Sequence, residues 1–144
     1  MNRENSIDHC LRASWQAVSK MYNEQAAKHD STMAMAFVLL NIDHENGTPS
    51  TSLGPQMGME ATSLSRLLKS MENKNLIFRD RHPDDGRSVL IKLTDFGKVK
   101  REISKQSVIK FNQAVFDKLS EEKINHFIEV TKTIRKLVSD KAIF

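Results

Sequence analysis

Apolar residues recur every three or four positions along most of the chain, which is the spacing of amphipathic helices. Capping residues, prolines and glycines mark where such helices begin and end. The pattern predicts six helices: one over residues 5–28, a largely apolar one from Asp30 or Ser31 to Asn46-Gly47, a short one from Thr48-Pro49 to Gly58, one over residues 61–73, and two long ones that begin at Thr94 and Ser120. The chain is therefore expected to be mainly helical.

After the fourth predicted helix, the spacing of apolar residues changes from that of helices to that of strands. Residues 76–81 and 88–93 have strand spacing. The residues between them include Pro83 and the turn-forming pair Asp85-Gly86, so the two runs predict a hairpin with a charged tip. The predicted fold class is mainly α with a small β-hairpin wing, an α+β arrangement.

Two short helices joined by a tight turn and followed by a hairpin form the order of a winged helix-turn-helix. In the fourth helix, leucines and Met71 occupy one face, whereas short hydroxyl residues, Arg66 and Lys69 occupy the other. A polar face of this kind approaches base edges and phosphates closely when the helix enters the major groove. The alternative is an ordinary solvated helix face, and the adjoining hairpin favours DNA binding.

The charge of the chain is unevenly distributed. The 144 residues carry a formal net charge of +4, but residues 1–60 hold four basic and seven acidic side chains, so the positive excess lies later. Residues 66–92, which form the candidate reader, hold seven basic and four acidic side chains. This distribution suggests a polyanionic partner, and excess lysine on solvated helices is the alternative explanation.

Length and composition predict a single globular domain over residues 1–144, in a cytoplasmic protein. The longest apolar stretch, Met33–Leu40, has 8 residues, far below the roughly 18 to 20 that cross a bilayer, and no leader-like segment opens the chain. A single cysteine, Cys10, excludes an intramolecular disulfide and a multi-cysteine zinc site. No two histidines stand three or four residues apart, and no phosphate loop, nucleophile elbow or HExxH motif occurs. We therefore expect no enzyme activity, no metal site and no cofactor.

Two runs of residues, 75–79 and 85–97, are similar to the wing signature of the MarR family of bacterial transcriptional regulators. Upstream of them, positions between Leu53 and Leu67 resemble the helix-turn-helix of the same family. The resemblance is specific over residues 47–97, which it identifies as a DNA-binding lobe. It extends more loosely over the whole chain, through the long first helix and the two long C-terminal helices.

The resemblance implies a homodimer that binds a pseudo-palindromic operator, with dimerisation helices at residues 1–30 and 98–144. A physical argument points the same way, because a lobe of about 50 residues cannot cover the apolar stripes of the first, fifth and sixth helices, and such stripes are association sites. Two-fold pairing is the commonest way to bury them. It also places two recognition helices about 34–36 Å apart, one turn of DNA.

The resemblance further implies which side chains contact DNA. The side chains expected in the major groove all lie on the fourth helix: Thr62, Ser63, Ser65, Arg66 and Lys69. Arg87 at the wing tip would enter the minor groove, with Asp85 orienting its guanidinium or supporting the wing. Arg79, on the first wing strand, is a further candidate for DNA contact, and its alternative is a salt bridge with a neighbouring acid such as Asp80.

Three positions depart from the family pattern. Gly54-Pro55 falls inside the third helix, where proline removes a backbone hydrogen bond and tends to kink the segment. Asn75 replaces the glycine that precedes the wing, a mild change because asparagine tolerates a left-handed backbone. Glu60 replaces the usual cap of the fourth helix, which is therefore expected to start less sharply.

Aromatic and methionine side chains offer a candidate pocket for a small-molecule effector, between the dimer helices and the lobe as in relatives. The set comprises Trp15, Tyr22, Met33 and Phe37, and the alternative is that these residues are simply core. Cys10 lies roughly where peroxide-sensing relatives keep a reactive thiol, but the tyrosine that they place one turn later is Ser14 here. A small hydrophobic role is the alternative for Cys10.

Taken together, these observations predict a sequence-specific transcriptional regulator that binds double-stranded DNA. We expect a homodimeric repressor that a small-molecule effector releases. The alternative from another class is a winged-helix protein-interaction module without DNA binding.

Overall fold

The computed structural model describes residues 2–81, 83–84, 86 and 88–144. A short 3₁₀ helix at Arg3–Asn5 opens the described chain. The elements that follow are α1 (Ile7–Ala27), α2 (Met33–Asn41), β1 (Thr48–Pro49), α3 (Ser50–Met57), α4 (Ala61–Asn73), β2 (Ile77–Arg81), β3 (Val89–Leu93), α5 (Asp95–Phe116) and α6 (Glu121–Ser139). The predicted class, mainly helical with a small β wing, is confirmed.

The start of the third helix differs from the prediction. Thr48 and Pro49 are not its cap and first turn but form the two-residue strand β1, which pairs antiparallel with β3 through Thr48 and Ile91. The Thr48 side chain is buried, and its hydroxyl accepts a hydrogen bond from the Asp43 N–H at 2.9 Å. Proline suits this place because β1 is the edge strand of a sheet ordered β1-β3-β2.

The start of α2 also differs from the prediction. Its cap is Thr32, whose hydroxyl accepts from the Met35 N–H at 3.2 Å, and not Asp30 or Ser31. Asp30 instead has a left-handed backbone at φ +55°, which turns the chain out of α1. The cap of α2 therefore lies one or two residues later than predicted, because Asp30 belongs to the turn that follows α1.

The end of α2 comes earlier than predicted, at Asn41. The residues before Gly47 form a turn in which the Asp43 carboxylate accepts from the backbone N–H groups of Glu45 and Asn46, at 2.9 and 3.0 Å. These hydrogen bonds, Asn46 first, hold the pKa of Asp43 below its usual 3.8. A local side-chain turn therefore competes with continued helix.

The hydrophobic core extends the lobe beyond the predicted residues 47–97, because α2 packs together with α3, α4 and the sheet. Its buried side chains include Met35, Val38, Leu39, Ile42, Leu53, Leu64, Leu68, Met71, Leu76, Ile77, Ile91 and Leu93. The central position predicted for α2 is confirmed, because Val38 and Leu39 are among the least exposed residues described.

The junction between the lobe and α5 is a close backbone contact. The Thr94 hydroxyl donates to the Asn75 carbonyl at 2.6 Å and accepts from the Gly97 N–H at 2.9 Å, so Thr94 caps α5 as predicted. A side chain at Gly97 would overlap the Leu76 carbonyl oxygen. Asn75 adopts φ +59°, the left-handed backbone expected of it.

The chain divides into two compact units, residues up to Ser107 and residues 108–144. In the second unit, Ser120 caps α6 as predicted by accepting from the Lys123 N–H at 3.3 Å. The apolar stripe of α6 is not buried within the chain, since Phe127, Val130 and Val138 are all exposed. No helix in the described part of the chain is long and apolar enough to span a membrane.

Candidate nucleic-acid interface

Helix α4 separates apolar and polar residues as the sequence predicts. Leu64, Leu68 and Met71 are buried in the lobe core. The five side chains predicted to enter the major groove are all exposed: Thr62, Ser63, Ser65, Arg66 and Lys69. With the other described residues, none of these five side chains forms a hydrogen bond or ion pair, so their donors face solvent unused.

The turn before α4 fixes how this face is presented. Helix α3 ends at Met57 and is followed by Gly58, whose φ of +63° is the left-handed conformation that glycine adopts at helix C-termini. The Met59 N–H then donates to the Gly54 carbonyl at 3.0 Å, and Gly54 is buried. Pro55 lies within the last turn of α3, which still runs as one helix from Ser50 to Met57. Glu60 precedes α4 without a side-chain capping bond, as its residue type suggested.

Strands β2 and β3 form the predicted hairpin beside α4, in the register Ile77 to Leu93 through Arg81 to Val89. The two wing-tip residues with predicted roles, Asp85 and Arg87, lie outside the described residues. The minor-groove contact of Arg87 and the supporting role of Asp85 therefore stay predictions.

Two ion pairs organise the wing. Arg79 Nε lies 2.6 Å from Glu72 Oε1, so its carboxylate partner is Glu72 of α4 and not the neighbouring Asp80. Asp80 instead pairs with Lys92 on β3, at 3.0 Å. The hydrogen bond from Lys92, aided by the Arg81 N–H, holds the pKa of Asp80 below 3.8. The sequence did not single out Glu72, because the pair spans the turn between helix and strand.

The predicted effector residues are only partly brought together. The rings of Tyr22 on α1 and Phe37 on α2 meet edge to face, with centroids 6.0 Å apart, and burial raises the pKa of Tyr22. Trp15 is exposed, and the Met33 N–H donates to Asn23 at 3.0 Å.

A cavity of about 260 Å³ lies elsewhere, beside the loop between α1 and α2. The residues that line it are His29, Asp30, Ser31, Lys74, Leu76, Phe96 and Lys100. It shares no residue with the predicted set. Lys74 and Lys100 donate to the loop carbonyls of Asp30 and His29, at 3.3 and 3.0 Å, and so connect this loop to the end of α4 and to α5.

Cys10 is exposed on α1, and its thiol donates to the Glu4 carbonyl at 3.7 Å. Among the residues that the structure describes, no three histidine, cysteine, aspartate or glutamate side chains cluster as metal ligands would.

Comparison with known proteins gives a consistent result. Residues 32–89 match the model of the MarR family. The organic hydroperoxide resistance transcriptional regulator of Bacillus subtilis is 35% identical over 103 residues, which are 71% of this chain and 69% of that protein. Other curated relatives match over only 59% to 66% of their own length.

Solved structures share the fold. AbsC, a MarR family transcriptional regulator from Streptomyces coelicolor, superposes with a TM-score of 0.84 at 18% identity, over 97% of each chain. The protein of the Staphylococcus aureus MepR–DNA complex superposes with a TM-score of 0.80 at 20% identity, over 94% of this chain and 98% of that one.

Proposed function

This chain belongs to the MarR family of transcriptional regulators, and from that premise we propose that it binds double-stranded DNA sequence-specifically as a homodimer. The observation that carries the proposal is the outer face of α4, where Thr62, Ser65, Arg66 and Lys69 are exposed and have no partner among the described residues. Side chains with unused donors on a rigid helix suit the major groove. The MepR–DNA complex, a structural neighbour, supports the same use of the fold.

We propose that the polar face of α4 and the exposed apolar side chains of α6 serve different functions. Within the lobe, residues 47–97 supply the DNA-binding surface, and residues 1–30 and 98–144 supply the dimerisation helices. The exposed apolar side chains of α6, such as Phe127 and Val138, support this assignment because a second copy would cover them. The two recognition helices α4 would then meet successive major grooves, about 34–36 Å apart.

Within the lobe, we assign the base and phosphate contacts to Thr62, Ser63, Ser65, Arg66 and Lys69. Arg87 would add a minor-groove contact, supported by Asp85. Arg66 suits guanine, since its guanidinium can donate two hydrogen bonds to one base edge. Lys69 suits a phosphate as a point charge.

The regulator acts as a repressor under this proposal, because a dimer seated on a promoter excludes other proteins by occupancy alone. A small-molecule effector releases it by changing the spacing of the two lobes, and the candidate lining remains Trp15, Tyr22, Met33 and Phe37. The edge-to-face contact of Tyr22 with Phe37 supports an apolar site between α1 and α2. Its place of action is the cytoplasm, where a bacterial regulator meets the chromosome.

The test is fluorescence anisotropy of the full chain with a duplex from upstream of its own coding sequence, or with one selected from a random library. Arg66→Ala and Ser65→Ala should each weaken binding by about 1–3 kcal/mol, and Lys69→Ala should reduce the salt slope by roughly one. Lys132→Ala, at an exposed lysine of α6, is the matched control and should leave the slope unchanged. Selection of no duplex at any salt would favour a protein-interaction module instead.

A further inference from the structure

A charged pair joins the recognition helix to the wing. Glu72 stands in the last turn of α4 and Arg79 in the middle of β2, and their side chains meet at 2.6 Å between Oε1 and Nε. The pair bridges the tight turn at Asn75, whose backbone is left-handed. It therefore lies at the corner where the chain passes from one proposed DNA-contacting element to the next.

The pleat of the sheet places Arg79 on the side of the lobe core. Arg79 stands directly opposite Ile91, and opposite residues of an antiparallel pair share one face of the sheet. Ile91 is fully buried, so Arg79 rises from the core-facing side at its rim. Asp80 and Lys92, the neighbours of these two residues in sequence, occupy the other face and pair with each other there.

The energetics of the pair argue against a role in overall stability. The Arg79 and Glu72 side chains are 40% and 34% exposed, and ion pairs in such contact with water contribute little to folding. The bond between Arg79 and Glu72 instead holds β2 against the end of α4.

We propose that the Glu72–Arg79 pair is a positioning contact that fixes the wing relative to the recognition helix and thereby sets the sequence specificity of the DNA complex. The proposal rests on the DNA-binding function proposed above. Base-edge hydrogen bonds are directional, whereas phosphate contacts tolerate small rotations of the wing. Arg79 acts through Glu72 in this account and does not contact the phosphate backbone.

The DNA test uses the full chain with a library-selected duplex and a scrambled duplex of equal length. Glu72→Gln and Arg79→Gln should each weaken binding of the selected duplex about tenfold, and the double variant should be no worse than either single one, since one contact is lost in all three. Binding of the scrambled duplex, the salt slope and the thermal midpoint should not change.

A direct phosphate contact by Arg79 predicts a different outcome. Arg79→Gln would then weaken both duplexes and lower the salt slope by about one, while Glu72→Gln would strengthen both because it removes a negative charge. That result overturns the proposal. Asp80→Asn is the matched control, since it removes a comparable ion pair on the other face of the hairpin, and it should leave both affinities within about twofold.

A measurement without DNA separates this proposal from the proposed function. Amide hydrogen exchange in the last turn of α4 and in β2 should become faster to the same extent in Glu72→Gln and Arg79→Gln, while Asp80→Asn leaves the last turn of α4 unchanged. Unchanged exchange in both variants overturns the positioning contact even where DNA binding is normal. Faster exchange with no duplex selected by the wild type supports the contact and rejects the DNA-binding function.

Discussion

The lobe keeps its apolar side chains inside, whereas residues 108–144 hold many of theirs on the surface. Every buried hydrophobic side chain in the described part of the chain lies between Met35 and Leu93, and Val38, Leu53 and Ile91 are fully buried. In α6, by contrast, no residue is buried, and Phe127 and Val138 are each 63% exposed. Helices α4 and α6 both carry an apolar stripe in the sequence, so the pattern alone does not reveal which stripe is covered within its own chain.

This difference shows that the lobe buries its apolar side chains within one chain, whereas those of α6 are left for contact with another molecule. The lobe brings helices and a sheet against one another, so its core closes within one chain. A helix such as α6 offers a continuous apolar stripe that one chain leaves in water, which is the mark of an association surface. Substitutions in the lobe should therefore change folding stability, and substitutions on α6 should change association.

The largest effect is expected from a cavity in the lobe. Leu39→Ala removes a side chain that is 1% exposed at the centre of α2, and it should lower the free energy of unfolding by about 2–5 kcal/mol. Urea denaturation followed by circular dichroism measures this loss. Leu119→Ala, at an exposed leucine between α5 and α6, is the control and should have little effect; equal losses would contradict the difference in burial between the two regions.

A charge on the exposed stripe of α6 should disrupt association with a smaller free-energy change. Phe127→Asp would place a carboxylate in a proposed apolar interface and weaken dimerisation by about 3 kcal/mol, or about two orders of magnitude. Sedimentation velocity over a range of concentrations measures the change. Glu129→Lys, on another side of the same helix, should leave the dissociation constant unchanged. A wild-type chain that is monomeric at every concentration would reject the proposed dimer.

Loss of a helix cap should lower stability by a similar amount in both regions. It therefore provides a reference for comparing their stability. Thr32→Ala and Ser120→Ala each remove a hydroxyl that accepts a backbone hydrogen bond, at 3.2 and 3.3 Å. Each should lower stability by about 1 kcal/mol. Thermal unfolding of both variants would show whether α6 unfolds together with the lobe; a normal midpoint for Ser120→Ala alone would mean that it does not.

The smallest expected effect is on the pKa of Asp80 in the wing. Because Lys92 lowers the pKa of Asp80, Lys92→Gln should raise that pKa toward 3.8. The contribution of the pair to stability is present above pH 3.8 and is lost as the pH falls through the lowered value. Carboxyl NMR titration measures the shift. Asp43, whose pKa is lowered by the N–H groups of Asn46 and Glu45, is the internal control and should not move.

Local patterns in the sequence determined most of the elements and the face of the candidate site. The leucine stripe and the hydroxyl residues of α4 follow from helical periodicity, and the predicted bounds Ala61 and Asn73 are those observed. The caps at Thr94 and Ser120 were also predictable, because each hydroxyl accepts from a backbone N–H three positions later. Such interactions are encoded locally and so can be derived without a fold. The left-handed backbone of Asn75 was expected only from the family pattern.

Only the tertiary structure decided which distant residues meet. Strand β1 has two residues and exists because Thr48 and Pro49 reach β3 more than 40 positions later, which no local pattern reports. The partner of Arg79 is Glu72, across a turn, although Asp80 is adjacent in sequence, because the pleat directs neighbouring side chains to opposite faces. Burial was decided in the same way, since a stripe is covered or exposed according to what packs against it.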